Sequence, residues 1–160
     1  HYVQPDIIAF GKKTQVCGIL VTDRVDEIDD NVFHTPSRIN STWGGNIVDM
    51  VRFKKYLEII DEEKLVDNAA VVGDYLLGRL NELQEKYPRT VSNARGKGLY
   101  AAIDLPSGEF RKNAIAKIFD KGVILLGSGE KSIRFRPALN VKKEHIDECI
   151  HAIDTVLKEL

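Results

Sequence analysis

The fold is decided by the stretch LVDNAAVVGDYLLGRLNELQEKYP, residues 65–88. Its apolar residues recur three or four positions apart, at Leu65, Ala69, Val72, Leu76, Leu80, Leu83 and Tyr87. This spacing keeps one apolar face over about six helical turns, and Pro88 ends the run. A single helix of this length, with no second heptad run to accompany it, is typical of a segment that connects two domains.

The chain on either side of this helix predicts a mixture of strands and helices. Before it, apolar runs predict a buried strand at 7–10 and a second strand at 16–21, and Asn46 is expected to cap a helix that reaches Ile60. After it, the pattern predicts strands at 90–92, 99–105, 123–126 and 133–136, a turn at 95–98, and helices at 109–121 and from Ile146 onward. This order predicts a small α/β domain from about Arg89 to Leu160.

Composition and charge narrow the class of protein. Of the 160 residues, 43% are hydrophobic and 29% charged, with 23 Lys and Arg against 24 Asp and Glu, which is typical of a soluble globular protein. This balance gives no attraction to nucleic acid or to an anionic membrane, and no apolar run approaches the ~20 residues of a membrane helix. Two cysteines, Cys17 and Cys149, exclude a disulfide framework and favour the cytoplasm. Because the chain begins at His1 and its one methionine is Met50, we interpret it as a fragment.

The first motif suited to chemistry is a lysine at the end of a strand. Lys12 follows the apolar run 7–10 and Gly11. Desolvation at the mouth of a core could lower the pKa of such an amine and make it nucleophilic. A solvated surface lysine is the alternative, and Lys13 fits the same role.

Two further motifs suggest anion binding. The string STWGGN, residues 41–46, combines hydroxyls, two glycines and a helix start, which suits a phosphate; an ordinary capped loop is the alternative. In the string IRFRP, residues 133–137, strand alternation places Arg134 and Arg136 on one face as a clamp for a carboxylate. A solvated edge strand is the alternative there. The four histidines are dispersed, so no metal site is expected.

In their order along the chain, these strings resemble the class III (omega) aminotransferases. The resemblance rests on PDIIAFGKK (5–13), NSTWGGN (40–46), RGKGL (95–99) and IRFRP (133–137), and it covers essentially the whole chain. It implies the C-terminal part of the α/β type I fold of transferases that depend on pyridoxal 5'-phosphate. Residues 1–61 would then end the large cofactor-binding domain, 62–88 would form the connecting helix, and 89–160 would form the small C-terminal α/β domain.

The resemblance also implies roles for single residues. Lys12 would bind pyridoxal 5'-phosphate and serve as the catalytic base and acid, with Lys13 as its neighbour. Thr42, with Ser41, would contact the cofactor phosphate of the other subunit, which implies a homodimer with shared active sites. Arg134 would hold the α-carboxylate of the substrate.

The remaining expectations concern the substrate. Asn40 would lie near it, and Arg136 would be structural. The strings 11–18 and 42–46 are most similar to family members that transfer the ε-amino group of L-lysine to 2-oxoglutarate, giving glutamate and 2-aminoadipate 6-semialdehyde. Members that act on 4-aminobutyrate or ornithine are the alternative, as is a non-catalytic fragment for dimerisation or ligand binding. Because the family's other cofactor-binding residues precede its lysine, we expect these 160 residues alone to be inactive.

Overall fold

The chain divides into two compact units. The computed structural model describes residues 4–14, 16–39, 42 and 44–160, with Lys13 described by its backbone alone. The first unit is His1–Glu62 and the second is Glu63–Leu160. The predicted division into 1–61, 62–88 and 89–160 stays a prediction. No helix of the described residues is long and apolar enough to cross a membrane.

The first unit consists of a hairpin and a helix. Strand β1 (Ile7–Phe10) pairs antiparallel with β2 (Gly18–Val21), 3-10 turns span Lys12–Thr14 and Asp23–Glu27, and helix α1 spans Ile47–Glu62. The strand predicted at 7–10 is confirmed, whereas the second strand begins at Gly18 rather than at residue 16. The predicted cap of α1 is also confirmed, since Asn46 Oδ1 accepts a hydrogen bond of 3.0 Å from the Val48 N–H.

Phe10 holds the hairpin against α1. Its ring lies over Gly18, where an added Cβ would come within 2.4 Å of the ring, and it stacks on Phe53 with centroids 5.5 Å apart. The predicted burial of β1 is wrong, because Ile7 is 62% exposed and Ile8 46%. A two-stranded sheet has little to cover it, and α1 contributes no buried residue among those described.

The second unit packs three helices against a four-stranded sheet. Its elements are α2 (Leu65–Lys86), β3 (Ser92–Lys97), β4 (Tyr100–Asp104), α3 (Gly108–Asp120), β5 (Leu126–Ser128), β6 (Ser132–Phe135) and α4 (Lys143–Glu159). The strands follow the order β3-β4-β6-β5, and every pair is antiparallel. The mixed helix and sheet class is therefore confirmed; β3–β4 and β5–β6 are hairpins, and α3 and β5 lie between β4 and β6 in the chain.

Two strands begin later than predicted because hydrogen-bonded turns follow the ends of α2 and α3. The N–H groups of Thr90 and Val91 bond to Tyr87 O at 2.9 and 2.8 Å and so close α2, and β3 begins only at Ser92. In the same way the Val123 N–H bonds to Ile118 O at 3.3 Å, and β5 forms at Leu126–Ser128 rather than at 123–126.

The turn predicted at 95–98 lies further along the chain. Arg95, Gly96 and Lys97 are strand residues of β3, although glycine and lysine are rare in strands, because they pair with β4. The turn falls at Gly98 and Leu99, where Gly98 takes the left-handed backbone with φ 54°.

The core lies between the three helices and one face of the sheet. Alternation buries Ala101 and Ile103 of β4 and Ile133 and Phe135 of β6. They contact a stripe from the helices that includes Val72, Leu76, Leu80, Ala114, Ile118, Ile150, Ile153 and Val156. Each fully buried aliphatic side chain of this kind contributes roughly 1.5–3 kcal/mol. The predicted apolar face of α2 is confirmed, and the helices of this unit leave the opposite face of the sheet, here called the open face, uncovered.

Both ends of α2 are also tied by polar contacts. Asn68 Nδ2 donates to the carbonyl oxygens of Leu139 and Val141, at 2.7 and 3.0 Å. At the other end, Lys86 Nζ and the Tyr87 hydroxyl both donate to Asp154 Oδ1 of α4. Helix α2 is thus fixed along its whole length within the second unit.

Gly73 allows α2 to touch the turn between β3 and β4. A Cβ added at Gly73 would lie 2.3 Å from the Gly98 carbonyl carbon, whereas one added at Gly78 on the same helix would meet nothing within 4 Å. We expect Gly73→Ala to lower the free energy of unfolding by about 1–3 kcal/mol, because backbone must move apart. Gly78→Ala, the matched control, should raise it by about 0.5–1 kcal/mol. Urea denaturation followed by circular dichroism measures both, and an equal effect of the two substitutions would contradict the close approach at Gly73.

Candidate functional site

Lys12 lies on a short turn directly after β1. It is the first residue of the 3-10 turn, its side chain is exposed, and its backbone is left-handed with φ 59°. A residue with a Cβ occupies this region at a cost of about 1–2 kcal/mol, so the surrounding structure must enforce it. Part of this constraint is local, because Phe10 is the last residue of β1 and its ring packs between Gly18 and Phe53. The predicted position of Lys12 at the end of a strand is confirmed, and its reactivity stays a prediction.

The string predicted to bind phosphate is described only in part. Asn40, Ser41 and Trp43 lie outside the described residues. Thr42 is exposed in a turn, and Gly45 follows with a left-handed φ of 75° before α1 begins.

The two arginines of 133–137 lie in the second unit. Arg134 is on β6, which pairs with β4 on one side and β5 on the other, so the alternative of an edge strand is wrong. Arg136 is exposed and follows the end of the strand. Both residues line one cavity, together with Leu76, His145 and Cys149. The side chain of Arg134 makes no ion pair or hydrogen bond within the part of the chain that is described, so its charge is available to a ligand.

A polar cluster on the open face of the sheet was not predicted. Asp104 Oδ1 accepts hydrogen bonds from the Ser132 hydroxyl at 2.6 Å and from Arg95 Nη1 at 2.9 Å, and Oδ2 accepts one from Asn93 Nδ2 at 2.9 Å. Burial raises the pKa of Asp104, but the hydrogen bonds from Ser132, Asn93 and Arg95 outweigh it and lower that pKa to about 2. Asp104 therefore carries a full negative charge at neutral pH.

Strand alternation could have found this cluster. In YAAID, residues 100–104, Asp104 shares a face with Ala102 and not with the buried Ala101 and Ile103. The cluster was not predicted because residues 95–98 were expected to form a turn. A turn there would take Arg95 out of the strand beside β4 and leave the Asp104 carboxylate without this partner.

The described residues hold no group of three or more His, Cys, Asp or Glu that could bind a metal ion. Cys149 is half-buried, and burial raises the pKa of its thiol to about 11, so it remains protonated at neutral pH.

Comparisons with known proteins agree with the described arrangement. The family described as Aminotransferase class-III matches residues 1–157. The L-lysine-epsilon aminotransferase of Mycobacterium tuberculosis is 48% identical over 97% of this chain and 34% of its own length. The 4-aminobutyrate aminotransferase of Dictyostelium discoideum is 35% identical over 98% of this chain and 30% of its own.

A solved structure supports the same fold. The lysine aminotransferase from M. tuberculosis in the internal aldimine form matches with a TM-score of 0.94 and 47% identity, over 99% of this chain and 36% of that chain. The chain thus spans about a third of the length of the relatives it matches.

The pKa of Asp104 predicts how stability depends on pH. Because the folded pKa of about 2 lies below the ordinary 3.8, the ionised carboxylate stabilises the fold above pH 4, and this contribution disappears as the pH falls through about 2. At pH 7 we expect Asp104→Asn to lower the free energy of unfolding by roughly 2 kcal/mol. Urea denaturation at several pH values should show the gap between wild type and variant closing from pH 4.5 to pH 2. A gap that stays constant would contradict the assigned ionisation.

Proposed function

We propose, starting from the fact that this chain belongs to the class III aminotransferases, that the protein containing it transfers an amino group from an amino acid to a 2-oxo acid. The donor is the ε-amino group of L-lysine and the acceptor is 2-oxoglutarate, so that glutamate and 2-aminoadipate 6-semialdehyde are the products. The higher identity to the relative described as a lysine enzyme than to the one described as a 4-aminobutyrate enzyme supports this donor.

The described residues fit pyridoxal 5'-phosphate as the cofactor. They supply an exposed lysine side chain at Lys12, an exposed hydroxyl residue at Thr42, and the guanidinium of Arg134 without an internal partner. These are the groups needed to hold an aldehyde, a phosphate and a substrate carboxylate. When bound, pyridoxal phosphate supplies an electron sink for the carbon that bears the amino group.

The observation that carries the proposal is the backbone at Lys12. Its left-handed φ of 59° directly after β1 is a strained conformation of the kind that persists at functional sites. In the proposed mechanism Lys12 Nζ holds the cofactor through its amine. The same amine would take the proton from the substrate carbon that bears the amino group and later return one, as a general base and then a general acid.

Arg134 orients the substrate. Its guanidinium binds the α-carboxylate in two parallel hydrogen bonds, which fixes the end of the substrate remote from the reacting ε-amino group. Asn40 lies near the substrate, and Ser41 and Thr42 hold the cofactor phosphate of a neighbouring subunit. The proposed assembly is therefore a homodimer with shared active sites, and we place it in the cytoplasm.

Reductive trapping tests the role of Lys12. We expect borohydride treatment of the protein with pyridoxal phosphate to leave one stable adduct, on Lys12, because reduction fixes the bond between the amine and the cofactor. Peptide mass mapping locates the adduct. Lys12→Arg should abolish it, and the neighbouring control Lys13→Arg should retain it in full. An adduct on Lys13, or labelling spread over many lysines, would exclude Lys12 as the cofactor lysine.

Screening of amino donors tests the substrate. With 2-oxoglutarate as the acceptor, we expect kcat/KM for L-lysine to exceed that for 4-aminobutyrate and for L-ornithine by at least about tenfold, since a wrong donor that leaves a polar group of the site unpaired reacts more slowly by at least this factor. The cyclised product of the semialdehyde identifies the lysine reaction. We expect the 160 residues alone to be inactive in the same assay. Preference for 4-aminobutyrate or ornithine would assign the protein to the alternative type of omega-transaminase.

A further inference from the structure

Two arginines stand on either side of one small residue on the open face of the sheet. Arg95 of β3 and Arg134 of β6 both pair with Ala102 of β4. Residues directly opposite each other in antiparallel strands project from the same face, so the two side chains flank a single methyl group. Asp104 lies two residues further along β4 on this face, which makes it a diagonal neighbour of both arginines. Such diagonal neighbours are roughly 7–8 Å apart, within reach of a long side chain.

Asp104 forms an ion pair with only one of these two arginines. Arg95 Nη1 lies 2.9 Å from Asp104 Oδ1, while the Arg134 guanidinium has no ion pair or hydrogen bond within the described ranges. Ser132 and Asn93 donate to the same carboxylate, so both of its oxygens are occupied. The two arginines thus lie on opposite sides of Ala102, but only Arg95 forms an ion pair with Asp104.

The backbone of β3 explains the asymmetry. A β-bulge shifts the register between Ser92 and Arg95, and Asn93 within it has a left-handed φ of 54°. This brings the carbonyl oxygen of Asn93 to 2.8 Å from Arg95 Nη1, and Arg95 Nη2 donates to the Ser132 hydroxyl at 3.1 Å. The Arg95 guanidinium is thereby fixed toward Asp104 before any ligand binds.

We propose that Arg95 is a positioning residue that keeps Asp104 from capturing Arg134, so that the Arg134 guanidinium remains available to a substrate carboxylate. The inference rests on the proposed function, which gives Arg134 that ligand. Without Arg95, a charged carboxylate beside Arg134 competes with the substrate for the same N–H donors. A carboxyl group with even the ordinary pKa of 3.8 is ionised at neutral pH, so this competitor keeps its charge when Arg95 is removed.

The open face leaves room for the ligand. Arg95 and Arg134 line one depression, together with Lys97, Tyr100 and Ser128. Tyr100 is 57% exposed, so a carboxylate can approach Arg134 from this face.

The test is a set of KM and kcat values for L-lysine and 2-oxoglutarate in the protein loaded with pyridoxal phosphate. We expect Arg95→Met to raise KM for both substrates about tenfold, the effect of removing one hydrogen bond between charged groups, with kcat within about twofold of wild type. Adding Asp104→Asn should return KM to within about threefold, because the competitor is gone. Arg95→Lys keeps a cation beside Asp104 and should stay within about threefold, which provides a second variant if Arg95→Met folds poorly.

Two further variants separate this inference from structural effects and from the proposed function. Arg111→Met is the structural control. It removes a guanidinium that donates hydrogen bonds to the carbonyl oxygens of Ser128 and Gly129, just before β6. Because no carboxylate is freed, KM should not change. Arg134→Met should raise KM whether or not Asp104 is present. If Arg134→Met raises KM but the double variant is no better than Arg95→Met, the positioning role is wrong. If Arg134→Met leaves KM unchanged, the proposed role of Arg134 fails, and the inference fails with it.

Discussion

The pairing register of β3, β4 and β6 determines which side chains of the second unit are buried and which lie on the open face of the sheet. It places Ala102 between two arginines and Asp104 diagonal to both, and it directs Ala101, Ile103, Ile133 and Phe135 into the core on the other side. A slip of one residue would bury the charged face and expose the apolar one, which is why this register is strongly specified. The chemistry of the open face and the stability of the buried one are therefore set by the same pairing.

Apolar periodicity predicted the elements that bury many side chains. The stripe of α2 and the alternation in β4 and β6 are found where the sequence places them, because each buries aliphatic side chains at a fixed period. The strand β3 was missed since SNARGK carries no apolar alternation, and its pairing with β4 is decided by tertiary contact. The cluster around Asp104 was not predicted either, because its members lie on separate strands and can be recognised only when the strand pairing is known.

The candidate site was predicted through separate strings, and the structure places those strings in different units. The position of Lys12 depends on the hairpin of β1 and β2, in which the ring of Phe10 packs over Gly18. Arg134 depends on an interior strand of a well-packed sheet. The sequence could indicate both residues, since Lys12 follows a short apolar run and Arg134 alternates with Ile133 and Phe135. It could not indicate that the Arg134 side chain would lack a partner among the described residues, because that depends on which arginine pairs with Asp104.

The sparse burial of the first unit has a consequence for how these 160 residues open when they are studied alone. Asn31 is its one buried residue among those described, and it holds the neighbouring loop through hydrogen bonds to the carbonyl oxygens of Val25 and Ile28. With so little apolar surface removed from water, amide protons of this unit should exchange at a far lower free energy than those of α2 or β4. Within this chain, Lys12 and Arg134 thus belong to regions of unequal local stability. Local unfolding around Lys12 need not involve any change around Arg134.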